Sequence, residues 1–458
     1  MDSPPHRIVI IGTGPTAMGA ALRLQQLIDD ESLHVQVTML EESNRVGGLA
    51  SSVTTTRGFT YDLGVHVTGQ SKYEDFLRVI DNAVGEWNYL PRCVKASMRH
   101  VFPSTENPLD AYVPYPVQDS ITFFPEELRR CCEKELEEIA SKNGERRSCR
   151  NFGEFALETF GETLTRLFIR PYNEKVWTVR LEEMDCCWVE GRVPRPAVRN
   201  VLERNNKTNV VFRYPAQYRG MGEVWRRIAC SLPPGWIRLS TKVVAIDTVN
   251  RKVVVSSDES LPFDTVISTI PLDSLGRISS LLPSLPLKHS KVVLAGIGMY
   301  RPQPLHTEEL SWMYFPQKDT IFYRVTFISN FNQLLTPNAA LFWSVLCEIG
   351  VEEEEEVDDE EIAEKTVKDL IKEGVIQEDT KIAEKWIHVL PYGYPVPTLH
   401  RNEVLKKAQS ILESHSIFSR GRFGSWLYEV ANQDHSFTMG TQVIDRIFKG
   451  QKESVHLM

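Results

Sequence analysis

Two features of this chain have the residue types and spacing to do chemistry. The first is Gly12-Thr13-Gly14-Pro15-Thr16-Ala17, which fits the pattern G-x-G-x-x-G/A. Gly12 permits a tight turn, and Gly14 lets the backbone approach a pyrophosphate. Ala17 allows a helix to pack closely on a strand. The amides at the start of that helix, and its positive dipole end, then face the anion. The second is an acid 27 positions beyond Gly14, Glu41, with Glu42 beside it. An acid there can accept hydrogen bonds from a ribose hydroxyl.

The elements that position the glycines are legible. Residues 7–12 form a short β-branched run that ends at Gly12 and reads as a buried parallel strand. Residues 16–28 read as a helix with Ala17, Ala20, Ala21, Leu24, Leu27 and Ile28 inward, and residues 34–41 as a second strand. This is the opening of a doubly wound sheet. Residues 73–200 are mainly helical in pattern, with 126–142 the clearest helix. Strand-like runs return at 210–214, 243–248, 252–256 and 264–270, and again at 291–299, 321–327 and 340–348. The acidic run 352–361 reads as a solvated loop leading into a helix near 360–373, and a last helix spans about 436–448 before Gly450.

The expected fold is α/β. A Rossmann-like dinucleotide-binding domain is assembled from 1–90, 208–285 and 415–458, a mainly helical domain with a mobile loop from 91–207, and an antiparallel-sheet domain from 286–414. A chain of 458 residues with 42% apolar and 25% charged residues suits two or three folded domains. Its net charge of −9 argues against a nucleic-acid-binding surface. Eight cysteines without a C-x-x-C pair give no zinc spacing and read as reduced thiols, and no metal is expected. With no apolar leader and no run long enough to span a bilayer, a cytoplasmic, non-membrane protein is expected, monomeric or a small homo-oligomer.

The pyrophosphate fingerprint alone serves NAD and FAD equally. Residues 41–50 (Glu-Glu-Ser-Asn-Arg-Val-Gly47-Gly48-Leu49-Ala) resemble the glycine pair that follows the ribose-binding acid in the flavoprotein group containing the amine oxidases. The run 263–271 resembles the strand that returns to the FAD domain in that group. Further motifs narrow the resemblance. They are Gly64-Val-His66, 113–118 with Tyr115 and Gln118, 170–177 with Asn173 and Trp177, Gly191-Arg192, 392–397 with Tyr394, and 421–436 with Arg422, Tyr428 and Asn432. Together they resemble the UDP-galactopyranose mutases, the eukaryotic branch in particular, along nearly the whole chain.

That resemblance implies FAD, active when reduced, with NAD(P)H as reductant and a UDP-sugar as substrate. It implies interconversion of UDP-galactopyranose and UDP-galactofuranose through an adduct on N5 of the reduced flavin, without net redox change. Gly12, Gly14, Pro15, Thr16, Ala17, Glu41, Glu42, Gly47, Gly48, Leu49, Gly64, Val243, Asn432, Gln433 and Ser436 would hold the cofactor. Arg192 and Arg324 would grip the diphosphate, with Tyr314, Tyr394 and Tyr428 along its path. Tyr115, Gln118, Asn173 and Trp177 would lie by the nucleotide. His66 matches a loop that responds to flavin reduction, and Arg422, Asn209 and Asn432 lie near sugar and flavin. The helix after Asn432 would direct its N-terminus at the flavin. Departures from the family pattern fall at Val65, Thr68, Gly69, Gln70, Val117 and Ala431, around the sugar and base. The competing expectations are a mutase acting on a related nucleotide sugar and a redox enzyme of the amine-oxidase type; the latter would need no diphosphate-gripping arginine pair.

Overall fold

The computed structural model describes residues 4–102, 107–141, 149–190, 192–193, 195–196 and 210–456. Asn209 and Gly191 lie outside the described residues.

The N-terminal βαβ unit forms as its sequence dictates. Strand β1 (His6–Ile11) is buried along its β-branched half, and helix α1 (Pro15–Glu31) follows. Pro15 opens α1 with a preset φ, and no acid occupies its first turn. Strand β2 (Val35–Leu40) pairs with β1 in parallel. Three more strands complete a five-stranded parallel sheet in the order Ile417–Ser419, Thr265–Ser268, β1, β2, Ile237–Arg238. Helix α1 and the C-terminal helix Gln433–Lys449 share a core on one side of this sheet. On the other side lie Leu272 and Leu275, Leu405 and Leu412, and a three-stranded antiparallel sheet of residues 243–262.

Bare backbone lets α1 and the C-terminal helix cross closely. A Cβ on Gly19 would stand 2.1 Å from the Phe437 carbonyl, and one on Gly440 would stand 1.9 Å from the Thr16 carbonyl. Such distances leave no room for a methyl group. The crossing brings the start of the last helix beside the glycine fingerprint.

A seven-stranded sheet forms the second body. Its order is Ile382–Pro395, His289–Tyr300, Phe342–Val351, Arg324–Thr326, Trp312–Tyr314, Val94–Ser97, Tyr112–Pro114. All its pairs are antiparallel except Trp312–Tyr314 with Val94–Ser97. Two of its strands therefore come from the stretch 91–207, which sequence pattern assigned to a helical body. Helix Asp359–Lys372 packs on one face, and the helical stretch from Glu126 to Trp177 packs around the other. The acidic run enters helix Asp359–Lys372 through Asp358, whose carboxylate accepts from the Glu360 and Glu361 amides. Three acids in that first turn suit the positive end of the helix.

Candidate active site

A cavity of about 910 Å³ runs along the carboxyl ends of β1 and β2. This is the place where doubly wound sheets hold nucleotides. Gly12, Gly14, Pro15 and Thr16 line it, as do Glu41, Glu42, Gly48 and Leu49. Val243 lines it from the antiparallel sheet, and Asn432, Gln433 and Ser436 line it from the start of the last helix. Ala17 is buried beneath it in α1, and Gly47 and Gly64 occupy turns with φ of +106° and +124°. Val65, Thr68, Gly69, Gln70 and Ala431 also line the cavity, so most of the departures from the family pattern face the ligand space.

The cavity fits a dinucleotide on three observations. First, Gly48 has φ +54°, and a Cβ there would stand 3.3 Å from Gly14 Cα, so two glycine backbones meet where a pyrophosphate would lie. Second, the Glu41 carboxylate is fixed by the Thr13 hydroxyl at 2.7 Å and the Ser43 amide at 3.0 Å. Those donors leave it capacity to accept from a ribose. Third, the amino ends of α1 and of the 17-residue helix Gln433–Lys449 both border the cavity. Two positive helix ends favour a ligand with negative charge at both of those places.

His66 lines the cavity, and its Nε2 lies 3.1 Å from the Leu63 carbonyl. Donation to that oxygen leaves the neutral ring with Nδ1 as acceptor. Burial lowers the His66 pKa, opposed by the carboxylate of Asp62, so the ring is neutral near pH 7. Asp62 is itself buried, and accepts from Ser52, Tyr214 and the Met221 amide.

Next to the cavity lies a packed cluster of aromatic rings, the candidate nucleotide compartment. Tyr428 packs 4.7 Å from Trp177 and 5.7 Å from Tyr394, centroid to centroid. Tyr314 packs 4.7 Å from Tyr115 and 5.1 Å from Tyr172. Burial raises the pKa of Tyr115, Tyr172 and Tyr394, which keeps these hydroxyls protonated donors. Gln118 is buried nearby, and Asn173 turns its amide to the Ile169 carbonyl at 2.7 Å.

The three arginines meet this compartment differently. Arg192 donates from Nε to the Glu429 carbonyl and from Nη1 to Asn432, each at 2.8 Å, with its guanidinium over the Tyr428 ring. Its buried Nη2 has no partner among the described residues. Burial lowers the Arg192 pKa. Arg422 lines the cavity and lies 4.9 Å from the Tyr394 ring centroid. Its Nε is likewise buried without a partner among the described residues.

Arg324 stands opposite Tyr314 across one strand pair and opposite Glu348 across the next. Its Nε donates to Glu348 at 3.0 Å, and Nη2 donates to the other carboxylate oxygen. Burial works against the charged form of Arg324, but Glu348 together with Tyr394, Tyr323 and Tyr314 outweighs it and holds the pKa well above its ordinary value. Arg324 thus carries its own counter-charge.

The site contains residues that sequence reading did not single out. Glu348 is one, and it also accepts from the Tyr323 hydroxyl at 2.8 Å. Others are Thr13 and Arg401, which pairs with Glu429 at 2.7 Å behind Arg192. Glu348 lies in an apolar strand run, where a lone acid is the available signal. Arg401 offers none, since its partner is 28 positions away.

Among the described residues, no helix is long and apolar enough to cross a membrane, and no group of three His, Cys, Asp or Glu side chains is placed to hold a metal ion.

Comparison with known proteins agrees with this geometry. Residues 20–372 match the family of flavin-containing amine oxidoreductases. The chain is similar over its whole length to a crystal structure of reduced UDP-galactopyranose mutase, with a TM-score of 0.89 and 33% identity, covering 96% of that chain. An Exiguobacterium sp. 255-15 protein assigned as a protoporphyrinogen oxidase shares the fold at TM-score 0.70 and 16% identity, over 98% of this chain and all of that one. The CLA-producing fatty acid isomerase of P. acnes does so at TM-score 0.62 and 14% identity, over 98% of this chain and 100% of that one. Those last two likenesses concern the fold. The chain therefore belongs to the flavin-containing amine oxidoreductases and, among them, to the UDP-galactopyranose mutase family of FAD-dependent isomerases.

Proposed function

We propose that this protein interconverts UDP-galactopyranose and UDP-galactofuranose in the cytoplasm, with FAD reduced by NAD(P)H. The observation that carries the reading is the pair of buried guanidinium groups, Arg192 and Arg422, each with a nitrogen unpartnered among the described residues and each against a tyrosine ring beside the dinucleotide cavity.

Reduced FAD supplies the chemistry when bound: a nucleophilic ring nitrogen, N5, directed at the anomeric carbon of the sugar, with no net oxidation. The protein's own residues do the rest. Arg192 is preset by Glu429 and Asn432, so its free N–H meets a phosphate oxygen at little ordering cost. The neutral hydroxyls of Tyr394 and its neighbours add donors without adding charge. Arg324, half neutralised by Glu348, steadies the diphosphate without holding it so tightly that UDP cannot return to the sugar. The helix that begins after Asn432 presents its positive end to negative charge on the ring system.

The test is turnover of UDP-galactofuranose by enzyme reduced with dithionite, followed by chromatography. Activity from oxidised enzyme alone would refute the N5 reading. A redox activity of the amine-oxidase type draws support from the family match alone, and predicts peroxide release with an amine.

A further inference from the structure

Helix Arg170–Trp177 carries two residues expected beside the nucleotide, Asn173 and Trp177. Between them stands Lys175, a part-buried lysine with no role in the reaction. Its Nζ donates to three carbonyls: Phe315 at 3.0 Å, Gln317 at 2.8 Å and Phe322 at 2.6 Å. An ammonium has three N–H donors, so all are used. The three carbonyls belong to one connection, the chain between strand Trp312–Tyr314 and strand Arg324–Thr326. One side chain therefore ties the Asn173–Trp177 wall of the compartment to the Tyr314–Arg324 wall.

A second contact fixes the same helix. A Cβ on Gly350 would stand 2.4 Å from the Lys175 carbonyl. Gly350 lies in strand Phe342–Val351, two residues beyond the Glu348 that holds Arg324. The helix thus sits directly on the arginine-bearing sheet.

We propose that Lys175 is a positioning residue for the nucleotide: by stapling the helix to the connection between Tyr314 and Arg324, it sets the spacing of the two walls without touching the ligand. The inference rests on reading this compartment as the nucleotide site.

The staple is proton-dependent. Burial lowers the Lys175 pKa to about 7, opposed by Glu373, Asp369 and Asp319 and reinforced by Lys372. Asp319 comes from the connection itself, and Asp369, Lys372 and Glu373 from helix Asp359–Lys372 and its end. Arg99 pairs with both Asp319 and Glu373. A neutral amine keeps two N–H donors, so one of the three carbonyls loses its partner as pH rises through 7. The staple is complete on the acid side of that point and loosened on the basic side.

The test is calorimetric titration of FAD-loaded enzyme with UDP-galactopyranose, between about pH 6 and 8, a range above the titration of the diphosphate and below that of the uracil N–H. The parent's Kd is expected to rise about 3- to 10-fold across it, the size of roughly one hydrogen bond. Lys175→Met is expected to bind about as weakly at every pH as the parent does at the basic end. Its kcat at saturating substrate should stay within about twofold, which separates positioning from general disruption. Lys175→Arg should bind between the two. A Lys175→Met enzyme with the parent's Kd and pH slope overturns the proposal. Should that variant fail to retain FAD, the parent's pH series decides, and a flat Kd overturns it. Arg192→Ala distinguishes the two levels of the argument. If it binds as the parent does, the site reading falls and this proposal with it; if it binds weakly while Lys175→Met is normal, the staple alone falls.

Discussion

Replacing Arg192 with alanine removes a cation whose two neighbours were arranged for it. In the structure Nε and Nη1 are held at 2.8 Å by the Glu429 carbonyl and the Asn432 side chain, and Nη2 is buried without a partner among the described residues. A ligand oxygen at Nη2 would form a charge-assisted bond, contributing about 1.5–3 kcal/mol. Truncation also strips the phosphate of its buried counter-charge, which brings the loss to about 2–4 kcal/mol. At about 1.4 kcal/mol per decade, UDP should bind roughly 30- to 1000-fold more weakly. The assay is calorimetric titration of FAD-loaded parent and Arg192→Ala with UDP at fixed salt. Arg192→Lys should recover part of the loss, because a lysine restores charge but not the fork that Glu429 and Asn432 orient. UDP affinity within about twofold of the parent in both variants would show that the orphaned guanidinium does not meet the diphosphate.

Three further outcomes are expected. Gly48→Val should abolish FAD loading, read as flavin absorbance per chain, because a left-handed backbone costs a β-branched residue about 1–2 kcal/mol and its Cβ would press on Gly14 at 3.3 Å. Glu348→Gln should lower stability by about 3–5 kcal/mol in denaturant unfolding, since it leaves the Arg324 charge buried without its counter-ion. Burial, with Arg420 and Arg446 adding to it, lowers the pKa of His456 to about 2, and its Nδ1 lies 2.9 Å from the Ser425 hydroxyl. The unfolded chain then binds a proton that the folded one refuses. The stability from keeping His456 neutral is full above the ordinary histidine pKa of about 6.5 and is lost as pH falls below it, by up to about 1.4 kcal/mol per pH unit. His456→Gln should flatten that acid limb.

The cofactor half of the molecule was legible in sequence because its signals are local. A β-branched strand, two glycines, a helix and an acid lie within the first 41 residues, and the backbone turns them into one cavity wall without help from distant chain. The last helix was legible for the same reason, though it starts at Gln433, three residues before the periodic pattern suggested. Motif resemblance named Tyr115, Trp177, Tyr394 and Tyr428, which pack into or against one core, and Arg192, whose guanidinium lies over the Tyr428 ring. What escaped is cross-strand. Arg324 and Glu348 are opposite each other only because two strands pair, and Lys175 meets carbonyls 140 and more positions away. Strands Val94–Ser97 and Tyr112–Pro114 escaped because they are three or four residues long and gain their pairing from sheet neighbours such as Trp312–Tyr314. Neither propensity nor periodicity in so short a run can outweigh its helical surroundings.

The most direct measurement is the pairing of flavin state with isomerisation. The protein is loaded with FAD and divided into oxidised and dithionite-reduced portions under anaerobic conditions. Each is incubated with UDP-galactofuranose, and the nucleotide sugars are separated by chromatography. The account predicts UDP-galactopyranose from the reduced portion alone, with the flavin still reduced at the end. Equal conversion by the oxidised portion, or reduced flavin with bound UDP-sugar and no conversion, would contradict it.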